Sequence, residues 1–199
     1  MPVPTYPILE HFSTLQGEGM HTGKSAYFIR LSGCDVGCVW CDVKESWDVS
    51  NGKTYDSEEI ASWVKQESMV VLTGGEPAMY DLTSLVKALK SRNKFVAIET
   101  SGCYPLQGDV DWYTFSPKKF KAPCQEAYDR AHELKVIIYH PSDFEFAEYH
   151  ASKVNGPCQL FLQPEWSKRA ERQDDIIAYI KKNPAWRLSL QTHKYLNIP

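Results

Sequence analysis

Three thiols fall within eight residues of this chain: Cys34, Cys38 and Cys41, in the stretch Cys-Asp-Val-Gly-Cys-Val-Trp-Cys. A loop that short brings three sulfurs to a common centre without a long-range fold, and thiolates are the soft ligands that iron-sulfur clusters and zinc select. Three of them hold three irons of a [4Fe-4S] cube and leave the fourth iron open to a substrate or cofactor. The competing reading is structural zinc, which usually takes four protein ligands. No fourth cysteine lies nearby, and His11, His21 and His193 fit no zinc-ribbon spacing.

Two glycine-containing stretches flank this loop. In Gln16-Gly-Glu-Gly, the glycines beside Glu18 suggest a backbone that something approaches closely, or else an ordinary surface turn. In Thr73-Gly-Gly-Glu-Pro, paired glycines and a proline stop any regular structure, which taken alone is a strand-to-helix turn.

Elements must hold these stretches in place. Apolar runs predict strands over 8–15, 25–31, 69–72, 95–98, 110–115, 134–139, 159–162 and 186–190. Amphipathic spacing predicts helices over 57–67, from 81 to near 93, over 142–153 and over 168–182, with Asp56 and Ser57 as candidate caps of the first. Residues 45–54 read as polar and irregular. Strands alternating with helices argue for an α/β fold with a mainly parallel sheet. A full eight-fold barrel takes about 250 residues, so at 199 residues the expectation is one domain, 1–199, built as a shortened open (β/α) partial barrel. The stretches 34–41, 73–77, 99–102, 116–118 and 163–164 all follow predicted strands, on the edge where parallel α/β folds bind ligands.

Composition narrows the class. With 43% hydrophobic and 24% charged residues and a net charge of −3, the chain is an average globular sequence that predicts no nucleic-acid or membrane partner. Its longest apolar runs fall far short of the ~20 residues needed to cross a bilayer. The start, Met1-Pro-Val-Pro-Thr-Tyr-Pro, has neither the basic nor the apolar region of a secretory signal, so a cytoplasmic location is the default. Six cysteines there read as reduced thiols or metal ligands, not disulfides. Cys103, Cys124 and Cys158 read as incidental or buried thiols, and His132, His140 and His150 as surface or structural residues.

Taken together, the cysteine loop after a strand and Gly74-Gly75-Glu76-Pro77 resemble the radical S-adenosylmethionine superfamily. Thr14-Leu15-Gln16-Gly17-Glu18-Gly19 and the closing Gln191-Thr-His-Lys-Tyr-Leu-Asn-Ile-Pro narrow the likeness, over nearly the whole chain, to the 7-carboxy-7-deazaguanine synthases. That resemblance implies a lyase converting 6-carboxy-5,6,7,8-tetrahydropterin to 7-carboxy-7-deazaguanine and ammonia, a step toward queuosine and other 7-deazapurines. One electron from a flavodoxin or ferredoxin would cleave S-adenosylmethionine, and the resulting 5'-deoxyadenosyl radical would take hydrogen from C6 of the pterin. A homodimer is also implied.

By motif, Cys34, Cys38 and Cys41 would hold the [4Fe-4S] cluster. Trp40, Asp42, Gly75, Ser116, Lys118 and Gln163 would surround S-adenosylmethionine, with Glu99 at its ribose. Backbone carbonyls freed by the glycines, with Glu76 or its neighbours, would receive the methionine ammonium. Leu15, Gln16, Gly17, Glu18, Arg30, Thr73, His193 and Pro199 would surround the pterin. Its aminopyrimidinone edge, rich in N–H donors, suits the Glu18 and terminal Pro199 carboxylates, and its own carboxylate suits the planar fork of Arg30. The family often carries Thr where this chain has Val43, two residues past the last cysteine, and uses it to bind Mg2+. Valine ligates no metal, so Mg2+ would rely on the backbone near Asp42, on water and on substrate, or be dispensable. A glycyl-radical activase shares the cysteine loop but has no use for the outer motifs, and a non-enzymatic iron-sulfur or zinc module predicts no S-adenosylmethionine cleavage.

Overall fold

The computed structural model describes residues 4–199, so the first three residues of the proline-rich start lie outside the described residues. Among the described residues nine strands form one sheet: β1 (Thr5–Leu15), β2 (Ser25–Leu31), β3 (Lys53–Asp56), β4 (Met69–Gly74), β5 (Phe95–Thr100), β6 (Trp112–Phe115), β7 (Glu133–Ile138), β8 (Gln159–Pro164) and β9 (Trp186–Leu188). Six α-helices accompany them: α1 (Ser57–Trp63), α2 (Thr83–Lys90), α3 (Gln125–Arg130), α4 (Asp143–Ala151), α5 (Arg169–Lys182) and α6 (Thr192–Leu196). The strand order is β3-β1-β2-β4-β5-β6-β7-β8-β9, an open sheet whose edges are β3 and β9. From β2 onward every pairing is parallel, while β1 runs antiparallel to β2 and β3. The expected open, mainly parallel partial barrel is therefore the fold.

The two-residue period of the strands separates structure from chemistry. On the outer face Ile29, Leu31, Val70, Leu72, Val96, Ile98, Leu134 and Val136 join Ile60 of α1, Leu85 and Leu89 of α2 and Ile176 of α5 in one core. Each such side chain, fully buried, contributes about 1.5–3 kcal/mol, so this layer carries the fold. The inner face holds a small cluster of Ala26, Met69, Val71 and Ala97, flanked by Phe28 and Trp112. Further along those strands the same face becomes polar, at Arg30, Thr73 and Glu99. The site is thus built on the C-terminal edge by the residues that alternation turns away from the helices.

Local expectations fail where a long-range partner decides. Lys53 and Thr54, the end of the stretch expected to be irregular, start β3 (Lys53–Asp56) because Thr5 to Ile8 of β1 offer an edge to pair with. The first helix ends at Trp63, short of 67. Asp56 caps it as expected, accepting from the N–H groups of Glu58 and Glu59 at 2.9 and 2.8 Å, but Lys65-Gln66-Glu67-Ser68 supply no apolar side chain to hold another turn. The second helix starts at Thr83 rather than 81, since Asp81 bridges to Gln107 and accepts from the Thr83 N–H. Helices α3 and α6, six and five residues long, carry too little periodicity to be read from sequence.

Candidate active site

The loop after β1 and the segment after β9 meet across the mouth of the sheet. Gly17 must be glycine: a Cβ there would lie 2.2 Å from His193 Nδ1. Its carbonyl accepts from both the N–H and the hydroxyl of Thr192, each at 3.0 Å, and Thr14 donates to the Pro199 oxygen at 2.9 Å. The close approach suggested by Gln16-Gly-Glu-Gly is therefore made by the chain's own α6. Beside it, Lys194 donates to Asp42 at 2.8 Å and ties the same segment to the cysteine loop. Burial pushes the Asp42 carboxyl up, but the hydrogen bond and charge of Lys194 outweigh it and hold the group below its usual range.

The glycine pair after β4 also has a steric cause. Gly74 has φ 130°, and a Cβ there would lie 2.2 Å from the Leu31 carbonyl; one on Gly75 would lie 2.2 Å from that of Gly33. This packing sets the loop directly against the residues leading to Cys34. Glu76, offered above as an acceptor for the methionine ammonium, is instead 1% exposed and already saturated. It accepts from Ala78 N at 3.0 Å, from Ser101 N at 2.8 Å and from the hydroxyls of Thr100 and Ser101. Its carboxylate braces the loop and has no lone pair left for an ammonium.

Around the cysteines, burial pushes the Cys38 thiol up to about 11, with Lys118 pulling the other way, and raises Cys34 as well. Such thiols give up their protons when a metal takes their place. Lys118 lies 5.6 Å from the Trp40 ring and donates to the carbonyl and hydroxyl of Ser116 at 2.7 and 2.6 Å. Opposite, the Gly19 N–H donates to Ser189 Oγ at 3.0 Å and the Ser189 hydroxyl donates to Gln163 Oε1 at 2.7 Å. With its oxygen so held, the Gln163 amide has its Nε2 donor left for a ligand.

The inner wall carries a charge cluster. Lys135, 3% exposed, forms ion pairs with Glu18 and, at 2.9 Å, with Glu99. Gln191 donates to the other oxygen of Glu18 at 3.0 Å, and Gln16 to the other oxygen of Glu99 at 2.9 Å. Burial opposes charge on Glu18, yet Lys135 beside it brings its pKa down to about 2. Glu99, expected at the ribose, is thus joined to Gln16 and Lys135 and stands among the residues expected around the pterin. Arg30 spends its Nε on Glu10 at 2.7 Å and keeps its two terminal nitrogens.

One cavity of about 290 Å³ gathers all of this. Cys34, Cys38, Cys41, Trp40, Asp42, Gly75, Glu99, Ser116, Lys118 and Gln163 line it, as do Leu15, Gln16, Gly17, Glu18, Arg30, Thr73, His193 and Pro199. Every residue singled out from the sequence reaches it. Lys135, Gln191 and Lys194 line it too without having been singled out, and Ser189 supports it from behind. The alternation of β7, which turns Leu134 and Val136 outward, was the available signal for Lys135.

The sequence pattern of the radical S-adenosylmethionine superfamily matches residues 28–138. The chain is 56% identical over 194 residues to a 7-carboxy-7-deazaguanine synthase of Flavobacterium psychrophilum, covering 97% of this chain and 92% of that one. It is 48% identical over 196 residues to that of Synechocystis sp., covering 98% and 94%. The chain belongs to the 7-carboxy-7-deazaguanine synthase family. The fold agrees: the crystal structure of QueE from Escherichia coli matches with a TM-score of 0.84 at 33% identity, covering 94% of this chain and 93% of that one. Membership of the radical S-adenosylmethionine superfamily implies a [4Fe-4S] cluster and S-adenosylmethionine, and the synthase site fits both. Three cysteines share one cavity, and among the described residues no three His, Cys, Asp or Glu side chains converge on a single ion. Three cysteines suit a cluster, whose thiolates attach to separate irons and leave the fourth open, better than structural zinc, which takes four protein ligands.

Proposed function

We propose that the chain converts 6-carboxy-5,6,7,8-tetrahydropterin to 7-carboxy-7-deazaguanine and ammonia, as one radical S-adenosylmethionine domain spanning 1–199. The observation that carries this reading is that the cysteine loop and the paired carboxylates Glu18 and Glu99 open onto the same cavity. In this assignment Cys34, Cys38 and Cys41 hold the cluster, and Trp40, Asp42, Gly75, Ser116, Lys118 and Gln163 border S-adenosylmethionine. Leu15, Gln16, Gly17, Glu18, Arg30, Thr73, Glu99, His193 and Pro199 border the pterin. Bound there, the cluster and S-adenosylmethionine would supply one-electron chemistry able to remove hydrogen from the substrate.

The protein's own work is to bind, orient and exclude water. Arg30, with two free guanidinium nitrogens, takes the pterin carboxylate, while Glu18 and Glu99 accept from the opposite, donor-rich edge. This polarity fixes which way round the ring lies. The segment over 192–199 covers the loop at 16–18 and keeps solvent from that edge.

Magnesium finds little here. The Val43 carbonyl already accepts from the Ser46 N–H and hydroxyl at 3.1 and 2.6 Å, and the Asp42 carboxylate is taken by Lys194. The protein's share of a Mg2+ site reduces to backbone near Asp42, and no step is routed through it. A reduced flavodoxin or ferredoxin as electron donor, a homodimeric state and a cytoplasmic location complete the proposal. Among the described residues no helix is long and apolar enough to cross a membrane.

The test is anaerobic reconstitution with iron and sulfide, then incubation with reductant, S-adenosylmethionine and the carboxytetrahydropterin. The expected result is a deazaguanine product, with 5'-deoxyadenosine formed only when the pterin is present. Colourless protein holding one zinc, or cleavage that ignores the pterin, would overturn it.

A further inference from the structure

Lys135 lies mid-strand in β7, and its neighbours Leu134 and Val136, turned the other way, are fully buried in the core. A lysine so placed loses the hydration of its ammonium, and burial alone favours the neutral amine. Attraction to Glu18, Glu99 and Glu133 outweighs burial and keeps it charged. Its three chief tethers come from separate parts of the chain: Glu18 from the loop after β1, Glu99 from β5 and, through Glu18, Gln191 from the segment after β9.

Each carboxylate offers about four lone-pair sites. On both Glu18 and Glu99, Lys135 takes one oxygen and a glutamine amide takes the other. Neither carboxylate can then rotate without breaking two bonds, yet both line the cavity with lone pairs to spare. Two carboxylates and one ammonium carry a net charge of −1, which attracts N–H donors and repels the substrate's own carboxylate toward Arg30.

We propose that Lys135 is a positioning residue for substrate recognition, clamping Glu18 and Glu99 as a rigid pair of acceptors for the N–H donors of the pterin's aminopyrimidinone edge. The inference rests on the pterin reading of the cavity. Lys135 also lines the cavity, but two of its three N–H donors are taken by Glu18 and Glu99, and its role here is exerted through those two carboxylates.

The test is the dissociation constant of 6-carboxytetrahydropterin for cluster-loaded protein with S-adenosylmethionine, measured by anaerobic calorimetry from pH 7 to 9. The other titratable groups facing the cluster are Glu133, His193, Asp42, Lys118 and Lys194. Burial lowers His193 below its usual pKa, so it stays neutral across this window. Wild-type affinity is expected to be flat, because Glu18 ionises near pH 2. In Lys135→Met the like charges of Glu18 and Glu99 face each other, and one carboxyl takes a proton at neutral pH. With most of that carboxyl protonated at pH 7, the expected loss there is about tenfold, and it shrinks as the pH rises and the proton leaves.

Lys135→Met with Glu99→Gln removes the repulsion; it should bind weakly with no pH dependence, and it serves where the single variant folds poorly. Lys135→Arg keeps the charge and should stay flat. Wild-type affinity in Lys135→Met, or a loss equal at every pH, overturns the clamp. Wild-type protein that binds no pterin overturns the functional reading on which the clamp stands.

Discussion

Ser189→Ala tests whether the Gln163 amide is oriented and not merely present. Ser189 and Gln163 are each 2% exposed, and the serine hydroxyl both accepts from Gly19 and donates to Gln163. Alanine orphans the half-buried Gly19 N–H and the buried Gln163 amide oxygen, the latter at a cost of about 1–3 kcal/mol if nothing replaces its partner. For a net loss of about 2 kcal/mol, a chain of this length should melt about 4–8 °C lower. A second effect is separate from the first. With Oε1 released the amide can turn over, and the Nε2 donor aimed at the cavity is no longer fixed. Losing about 1–2 kcal/mol at that contact weakens S-adenosylmethionine binding by about five- to thirtyfold. Scanning calorimetry and equilibrium binding on cluster-loaded protein measure the two effects independently. A variant that melts lower but binds S-adenosylmethionine like wild type would refute the orienting role, and one unchanged in both would refute the hydrogen-bond chain itself.

Gly17→Ala forces a Cβ to within 2.2 Å of His193 Nδ1. Overpacking of about 1–3 kcal/mol should displace α6, raising KM for the pterin while leaving the iron content of reconstituted protein unchanged. Serine at Cys34, Cys38 or Cys41 should abolish the brown chromophore on reconstitution, whereas Cys124→Ser and Cys158→Ala should retain it by absorbance and iron assay. The acid limb of stability should depend on His150, which is 2% exposed, stacked on Tyr128, and lowered by burial to about 4. Between about pH 6.5 and 4 the unfolded chain takes up a proton there that the folded chain refuses, so stability present above 6.5 is lost as the pH falls. His150→Phe should flatten that part of a melting-temperature profile, and an identical slope in the variant would exclude the residue.

What the sequence made legible divides along the faces of the strands. Cysteines, glycine pairs and a capping Asp56 act through local geometry, and their places were readable one stretch at a time. Lys135 was not, because a lysine inside Glu-Leu-Lys-Val-Ile-Ile gains its meaning only from carboxylates 117 and 36 residues away. Glu76 looked like a ligand for the same reason reversed: nothing local shows that Thr100 and Ser101 consume it. Similarly, β3 and α6 exist because β1 and the Gln16–Glu18 loop offer them partners, and propensity alone does not encode a partner.

The contact between the loop after β1 and the residues after β9 sets a further property. It joins opposite parts of an open sheet through the bonds of Thr192 to Gly17, flanked by Thr14 of β1 to Pro199 and Lys194 to Asp42 of the cysteine loop, both on the exposed side, while the apolar core lies behind the strands. Such a seam can part in local openings far less costly than global unfolding. The lifetime of an oxygen-sensitive cluster in air would then follow the opening rate of this seam, so a mutation could leave the melting temperature untouched and still shorten the enzyme's survival outside the glovebox.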